Sequence, residues 1–309
     1  MNIEIQSAEI KNNISYTFTF TKPVKQFVAG FSKCYLKFSK ADHHIKEISI
    51  DLSNSKIDGN QIIIQPILKM NDISDHKESH KSCLTVVVIA IVNDKNPDIH
   101  MYNLINTDKR TDLPLLNTKP TFIKSTLNYA FTQYSKSDHH VHSYFSEITP
   151  ILDSNYFVLK GQSVVQDQKY HFGNGKVSGG VIIYYGKDQN VMCADFDSKK
   201  LKPDHTGKID DTQTISFGEV PKNFNCDNYS LGCFISSYQV LYNDSVGHHV
   251  LKFDISAMLN ENKLYLENGK ACAKLHLKAF LSDEGKNKSD IPYNNITGFV
   301  IAFNTKNSE

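Results

Sequence analysis

Three stretches of this chain read almost alike. Phe38-Ser39-Lys40-Ala41-Asp42-His43-His44-Ile45 returns as Tyr134-Ser135-Lys136-Ser137-Asp138-His139-His140-Val141. A looser version runs Tyr242-Asn243-Asp244-Ser245-Val246-Gly247-His248-His249-Val250. Asp42 to Asp138 is 96 residues and His139 to His248 is 109, each about the length of a small β domain. A second spacing holds as well. From the second histidine to an apolar closing run is 45 residues in the first copy (His44 to Ile89), 43 in the second (His140 to Ile183) and 52 in the third (His249 to Ile301). A repeat of that length makes the repeating unit a domain in its own right.

The residues around the repeat alternate with a period of two. Ile14-Ser15-Tyr16-Thr17-Phe18-Thr19-Phe20 does so, as do Ile48, Ile50 and Leu52 against Glu47, Ser49 and Asp51. Asp58-Gly59 and Asn268-Gly269 read as hairpin turns. Gln61 to Met70 reads as one strand with Pro66 at an edge or a bulge. Cys83 to Ala90 is apolar on both faces, as a central strand is. Many short strands and no 3.6-residue stripe predict an all-β chain of three tandem antiparallel β-sandwich modules, jelly-roll or Ig-like, over residues 1–95, 96–188 and 189–309.

Composition excludes several classes of function. A net charge of +1, with Lys and Asp/Glu interspersed, argues against nucleic acid as a partner. No run of 18 apolar residues is long enough for a membrane-spanning helix. Met1 to Gln6 alternates like a strand and lacks the apolar core of a signal peptide. The expectation is a protein that is cytoplasmic as synthesised, released or assembled without a classical signal if it leaves the cell. Cys34, Cys83, Cys193, Cys226, Cys233 and Cys272 do not occupy equivalent places in the copies, which predicts free thiols.

The histidine pairs are the first candidate site. Successive side chains of a strand face opposite ways. Extending the alternation of Ile48, Ile50 and Leu52 backwards puts His44 at the core rim and His43 toward solvent. The same reading buries His140 and His249 and exposes His139 and His248. Asp42 and Asp138 cap the turn before each pair. Opposite-facing neighbours chelate poorly, so the expectation is a structural motif with no metal and no cofactor. The letters Asp-His-His also resemble a motif of metal-dependent phosphoesterases. That family needs further aspartates on parallel strands of an α/β domain, and nothing else here is similar.

The loops supply other candidates for ligand binding. Asp72, Asp167 and Asp283 end equivalent strands and read as turn residues. His76 and His80 are spaced four apart, but they fall in a hairpin loop and lack the Glu placement of a zinc protease. His171 and Asp290 fall in the other two loops, and Tyr170, Tyr229 and Tyr293 are aromatic groups suited to stacking on sugars. No nucleophile elbow, phosphate loop or dinucleotide fingerprint is present in the sequence. Three function classes follow. The leading one is a non-enzymatic structural protein that assembles with copies of itself in a lattice, filament, inclusion or virion. The others are a multivalent lectin or adhesin binding glycan or another cell-surface ligand, and a hydrolase whose site is invisible in sequence.

Overall fold

Strands make up most of the described residues, which contain two short 3-10 helices and no α-helix. The computed structural model describes residues 2–39, 41–93, 98–115, 118–135, 137–201, 209–242, 248–283 and 294–305. Residues 1–95 hold β1 (Ile3–Lys11), β2 (Tyr16–Thr19), β3 (Val24–Lys37), β4 (Glu47–Asp51), β5 (Ser55–Asp58), β6 (Gln61–Ile64), β7 (Ile67–Asn71) and β8 (Cys83–Val92). Residues 96–188 hold β9 (Ile99–Asn106), β10 (Arg110–Asp112), β11 (Phe122–Gln133), β12 (Ser143–Asp153), β13 (Tyr156–Gln166) and β14 (Phe172–Tyr184). Residues 189–309 hold β15 (Val191–Asp197), β16 (Ile209–Glu219), β17 (Tyr229–Leu241), β18 (Lys252–Leu259), β19 (Tyr265–Glu267), β20 (Lys270–Ser282) and β21 (Asn295–Asn304).

All pairings are antiparallel. In each third the first strand pairs with the last, and the last pairs with the strand before the histidines. The rows are β1–β8–β3, β9–β14–β11 and β15–β21–β17. The strand after the histidines pairs with a later strand of its own third, giving β4–β7, β12–β13 and β18–β20. On its other side that strand leaves its own third. β4 pairs with β11, β12 with β17, and β18 with β3. The exchange is cyclic, and the resulting sheets of seven, eleven and three strands draw the two larger ones from more than one third.

Two turns lie where the sequence puts them. Asp58 pairs with Gln61 around Gly59, and Glu267 pairs with Lys270 around Asn268-Gly269. Gly59, Asn268 and Gly269 all adopt positive φ, which is why Asn and Gly stand there. The strand expected from Gln61 to Met70 is two strands. Pro66 has no N–H for a ladder, and the chain passes there from the β2–β6–β5 sheet to the partner of β4.

β8 explains how the core is organised, because all ten of its residues are buried. Leu84, Val86, Val88 and Ala90 face the larger core, while Val87, Ile89 and Ile91 face a second one. That second core gathers the equivalent strands of all three thirds: Ile182 and Tyr184 from β14, and Phe299, Ile301 and Phe303 from β21. The strands before the histidines also converge. Thr126 Oγ1 donates to the Ala29 carbonyl at 2.6 Å, and Ser236 Oγ donates to the Ser125 carbonyl at 2.6 Å. A Cβ on Gly30 would lie 2.7 Å from Thr126 Cβ and 2.8 Å from the Phe234 ring, so the close approach requires glycine. All six cysteines are free thiols, and burial pushes that of Cys193 up to about 12.

Candidate functional site

The repeated segments meet one another. Outside the named strands, His43 bridges Val250, Ile45 bridges His139, and Val141 bridges His248. Each bridge carries two backbone hydrogen bonds. His43 and Val250 exchange theirs at 3.1 and 2.8 Å, Ile45 and His139 at 2.9 and 3.0 Å, and Val141 and His248 at 2.8 and 3.1 Å. The three segments thus close a ring in which each is bonded to both others. Ile45, Val141 and Val250 are fully buried beneath it.

The expected exposure of the histidines is reversed in two of the three pairs. The first histidine is the more buried in the first and third pairs: side-chain exposure is 19% for His43 against 39% for His44, and 13% for His248 against 42% for His249, while both histidines of the second pair are half-buried. His44, His140 and His249 are all half-buried. The cause is a one-residue break in alternation at Lys46, His142 and Leu251, each a bend between the bridge and the strand. Ile45 and Ile48 are both fully buried although three apart, as are Val141 and Tyr144, and Val250 and Phe253. The alternation of β4 therefore cannot be carried back to His44.

Each first histidine sits between an aromatic ring and a buried carboxylate. Ring centroids are 4.7 Å apart for Phe38 and His43, 4.4 Å for Tyr134 and His139, and 4.6 Å for Tyr242 and His248. Asp72 Oδ2 lies 3.2 Å from His43 Nδ1, Asp167 Oδ2 2.9 Å from His139 Nδ1, and Asp283 Oδ2 3.2 Å from His248 Nδ1. Two of these aspartates take a further imidazole four residues on. His76 Nδ1 reaches Asp72 at 2.6 Å, and His171 Nδ1 reaches Asp167 at 2.7 Å, with backbone amides of His76 and His171 donating to the same carboxylates. Burial alone pushes the Asp72 and Asp167 carboxyls up, but these hydrogen bonds outweigh it and hold both below the usual carboxylate range. The ionised carboxylates accept only, so the facing Nδ1 atoms carry protons.

A pH dependence follows from that direction. A carboxyl held low in the folded state contributes stability above its unfolded pKa of about 3.9 and loses it as pH falls through the folded value. Thermal midpoints should therefore hold against this effect down to about pH 4 and fall below it. Asp72→Asn and Asp167→Asn should each cost about 1.5–3 kcal/mol at pH 7 and flatten the acid limb of the melting curve. An unchanged acid limb in the double variant would contradict the assignment.

The second histidines form a cluster of their own. His44, His140 and His249 have ring centroids 4.4, 4.5 and 4.8 Å apart, at interplanar angles of 75°, 87° and 55°. One ring nitrogen from each lies within 4.8 Å of the other two. Carboxylates of neighbouring segments flank the cluster: Asp138 Oδ1 is 3.5 Å from His44 Nδ1, and Asp42 Oδ1 is 3.3 Å from His249 Nδ1. Asp138 also accepts from the Ile73 amide at 3.2 Å. Burial first, then the neighbouring His44 and His249, push the His140 pKa down. The two neighbours of one pair do not chelate together. The structure instead offers one imidazole from each of three segments.

Other candidate residues scatter. His80 is exposed and lies outside these clusters, and the His76–His80 pairing gives way to His76–Asp72. Tyr170 is 75% exposed, while Tyr229 is buried at the start of β17, stacked on Phe224 and donating to the Gln189 carbonyl. Asp290 and Tyr293 lie outside the described residues. Ser137 Oγ is 2.9 Å from His139 Nε2, which extends the His139–Asp167 contact into a Ser–His–Asp row. The first copy has Ala41 at that place and the third has Val246. The sequence signal for the buried carboxylates was the shared Asp-x-x-x-His spacing of Asp72 to His76 and Asp167 to His171. No protein-family model, no curated protein and no solved structure matches this chain.

Proposed function

We propose that the chain is one β unit present three times, closed around an axis marked by its second histidines, and that it serves as a building block that associates with copies of itself without turnover. The observation that carries this reading is the cyclic strand exchange: β4 with β11, β12 with β17, and β18 with β3. One chain thereby makes a body of the kind three subunits would otherwise make. Each third contributes a first strand (β1, β9 or β15) that pairs on one side only among the described residues. Such edges join other chains unless blunted. The net charge of +1 leaves little long-range repulsion between copies.

Light scattering and electron microscopy at physiological salt, over a wide concentration range, test it. Regular assemblies larger than a monomer are expected. A protein monomeric throughout overturns the reading. So does covalent labelling of Ser137 by a fluorophosphonate, since activated serine in a Ser–His–Asp row belongs to hydrolysis.

A further inference from the structure

We propose that His44, His140 and His249 bind one divalent transition-metal ion of the zinc class, shared among the three thirds of the chain. The geometry of the cluster carries this site whether or not the chain assembles. Zinc binds imidazole nitrogen at about 2.0–2.1 Å in a tetrahedral shell, which sets ligand nitrogens about 3.3 Å apart. The three nitrogens already lie within 4.8 Å of one another, so closure needs side-chain shifts on the order of 1 Å. Those side chains stand on a ring of segments tied by six backbone hydrogen bonds, a scaffold fixed before any ion arrives.

The surroundings match what metal-bound imidazoles need. A ligating histidine donates its other ring N–H to a carboxylate or carbonyl, which fixes the tautomer. Asp138 stands at His44 Nδ1 and Asp42 at His249 Nδ1, which leaves Nε2 as the ligating nitrogen of each. Each carboxylate comes from a different segment than the histidine it supports. Side-chain exposures of 39% for His44 and 42% for His249 give the ion a route in and leave a fourth position for water or a group from another molecule. Three imidazoles without hard oxygen ligands select Zn²⁺, Co²⁺, Ni²⁺ or Cu²⁺ over Mg²⁺ and Ca²⁺. The flanking trios compete poorly, because Asp72 and Asp167 are already engaged by two imidazoles and by backbone amides.

The test uses tag-free, full-length protein freed of metal with a chelator and titrated with Co²⁺, read by visible absorption and elemental analysis. One Co²⁺ per chain with a four- or five-coordinate spectrum is expected. His140→Ala should weaken binding by at least about 100-fold, and Asp42→Asn and Asp138→Asn by about 10-fold or more. His76→Ala and His171→Ala should leave it unchanged. In wild-type protein, Zn²⁺ should protect His44, His140 and His249, but not His80, from diethylpyrocarbonate, read by peptide mass; this arm stands if a variant fails to fold. Absence of stoichiometric Co²⁺, binding that survives His44→Ala and His249→Ala, or protection confined to His43 and His139 would each overturn the proposal.

Discussion

Residues 1–95, expressed alone, should give no cooperative melt, and neither should 96–188 or 189–309. The reason is the strand exchange. Without residues 189–309, β3 loses the partner that pairs Cys34 with Ile255 and Leu36 with Phe253. Without residues 96–188, β4 loses β11, and Ile48 and Ile50, both fully buried, lose their setting. The second core loses most of its members, since strands of all three thirds build it, β8, β14 and β21 among them. An isolated third of about 100 residues already buries proportionally little surface. Losing an inter-third sheet partner and one wall of its core removes more than the usual ~5–15 kcal/mol of net stability can spare. Circular dichroism melts and amide proton dispersion measure this. A sharp monomeric melt from any one third would show that it folds independently.

Gly298→Ala should cost more than about 3 kcal/mol, and Gly298→Val should abolish soluble protein. An added Cβ at Gly298 would lie 1.9 Å from the Phe234 carbonyl oxygen, 2.7 Å from Phe196 Cζ and 3.0 Å from Phe196 Cε1. No rotamer relieves this, since the nearest atom is backbone. It also sits beside the irregular register of β17 and β21 between Ile235 and Ser237. Phe196 cannot swing away, because it is 2% exposed and packed in the larger core. Gly59→Ala is the control. Nothing lies within 4 Å of its added Cβ, and only the positive φ penalises it, by about 1–2 kcal/mol. Chemical denaturation of the two alanine variants side by side separates the effects. Equal midpoints would mean that β17 and β21 are not packed as described.

Period-two patterns carried the all-β character because burial on one face writes itself directly into a strand. Cys83–Val92, apolar but for Thr85, shows the other case, a strand buried on both faces between β1 and β3. Pairing between thirds leaves no such mark. Ile48 and Ile50 look the same whether their strand lies beside β11 or beside its own third's β3. The histidine orientation leaves a mark of a different kind. Apolar residues three apart, as in Ile45 and Ile48, Val141 and Tyr144, or Val250 and Phe253, signal a slip in alternation just after the histidines. Asp72, Asp167 and Asp283 resemble turn formers; the Asp-x-x-x-His spacing marks two of them locally, but nothing in the sequence shows the histidine of another segment that each carboxylate meets. The aromatic residues that open each repeat, Phe38, Tyr134 and Tyr242, are visible as a pattern; their tilted packing against the first histidines is not.

The exchange also sets a timetable for the nascent chain. Lys37 at the end of β3 pairs with Lys252 at the start of β18. The two are separated by about 215 residues, so at roughly 5–20 residues per second β3 waits on the order of 10–40 s for its neighbour to be made. β4 waits less, since β11 follows it within the next third. Through that interval the sheet edge at Lys33–Lys37, with Cys34, Tyr35 and Leu36, stands open in every copy on a polysome. Neighbouring ribosomes on one message then hold the same unfinished edge at high local concentration. Fast translation and occupancy by a chaperone both favour the closed ring over pairing between chains.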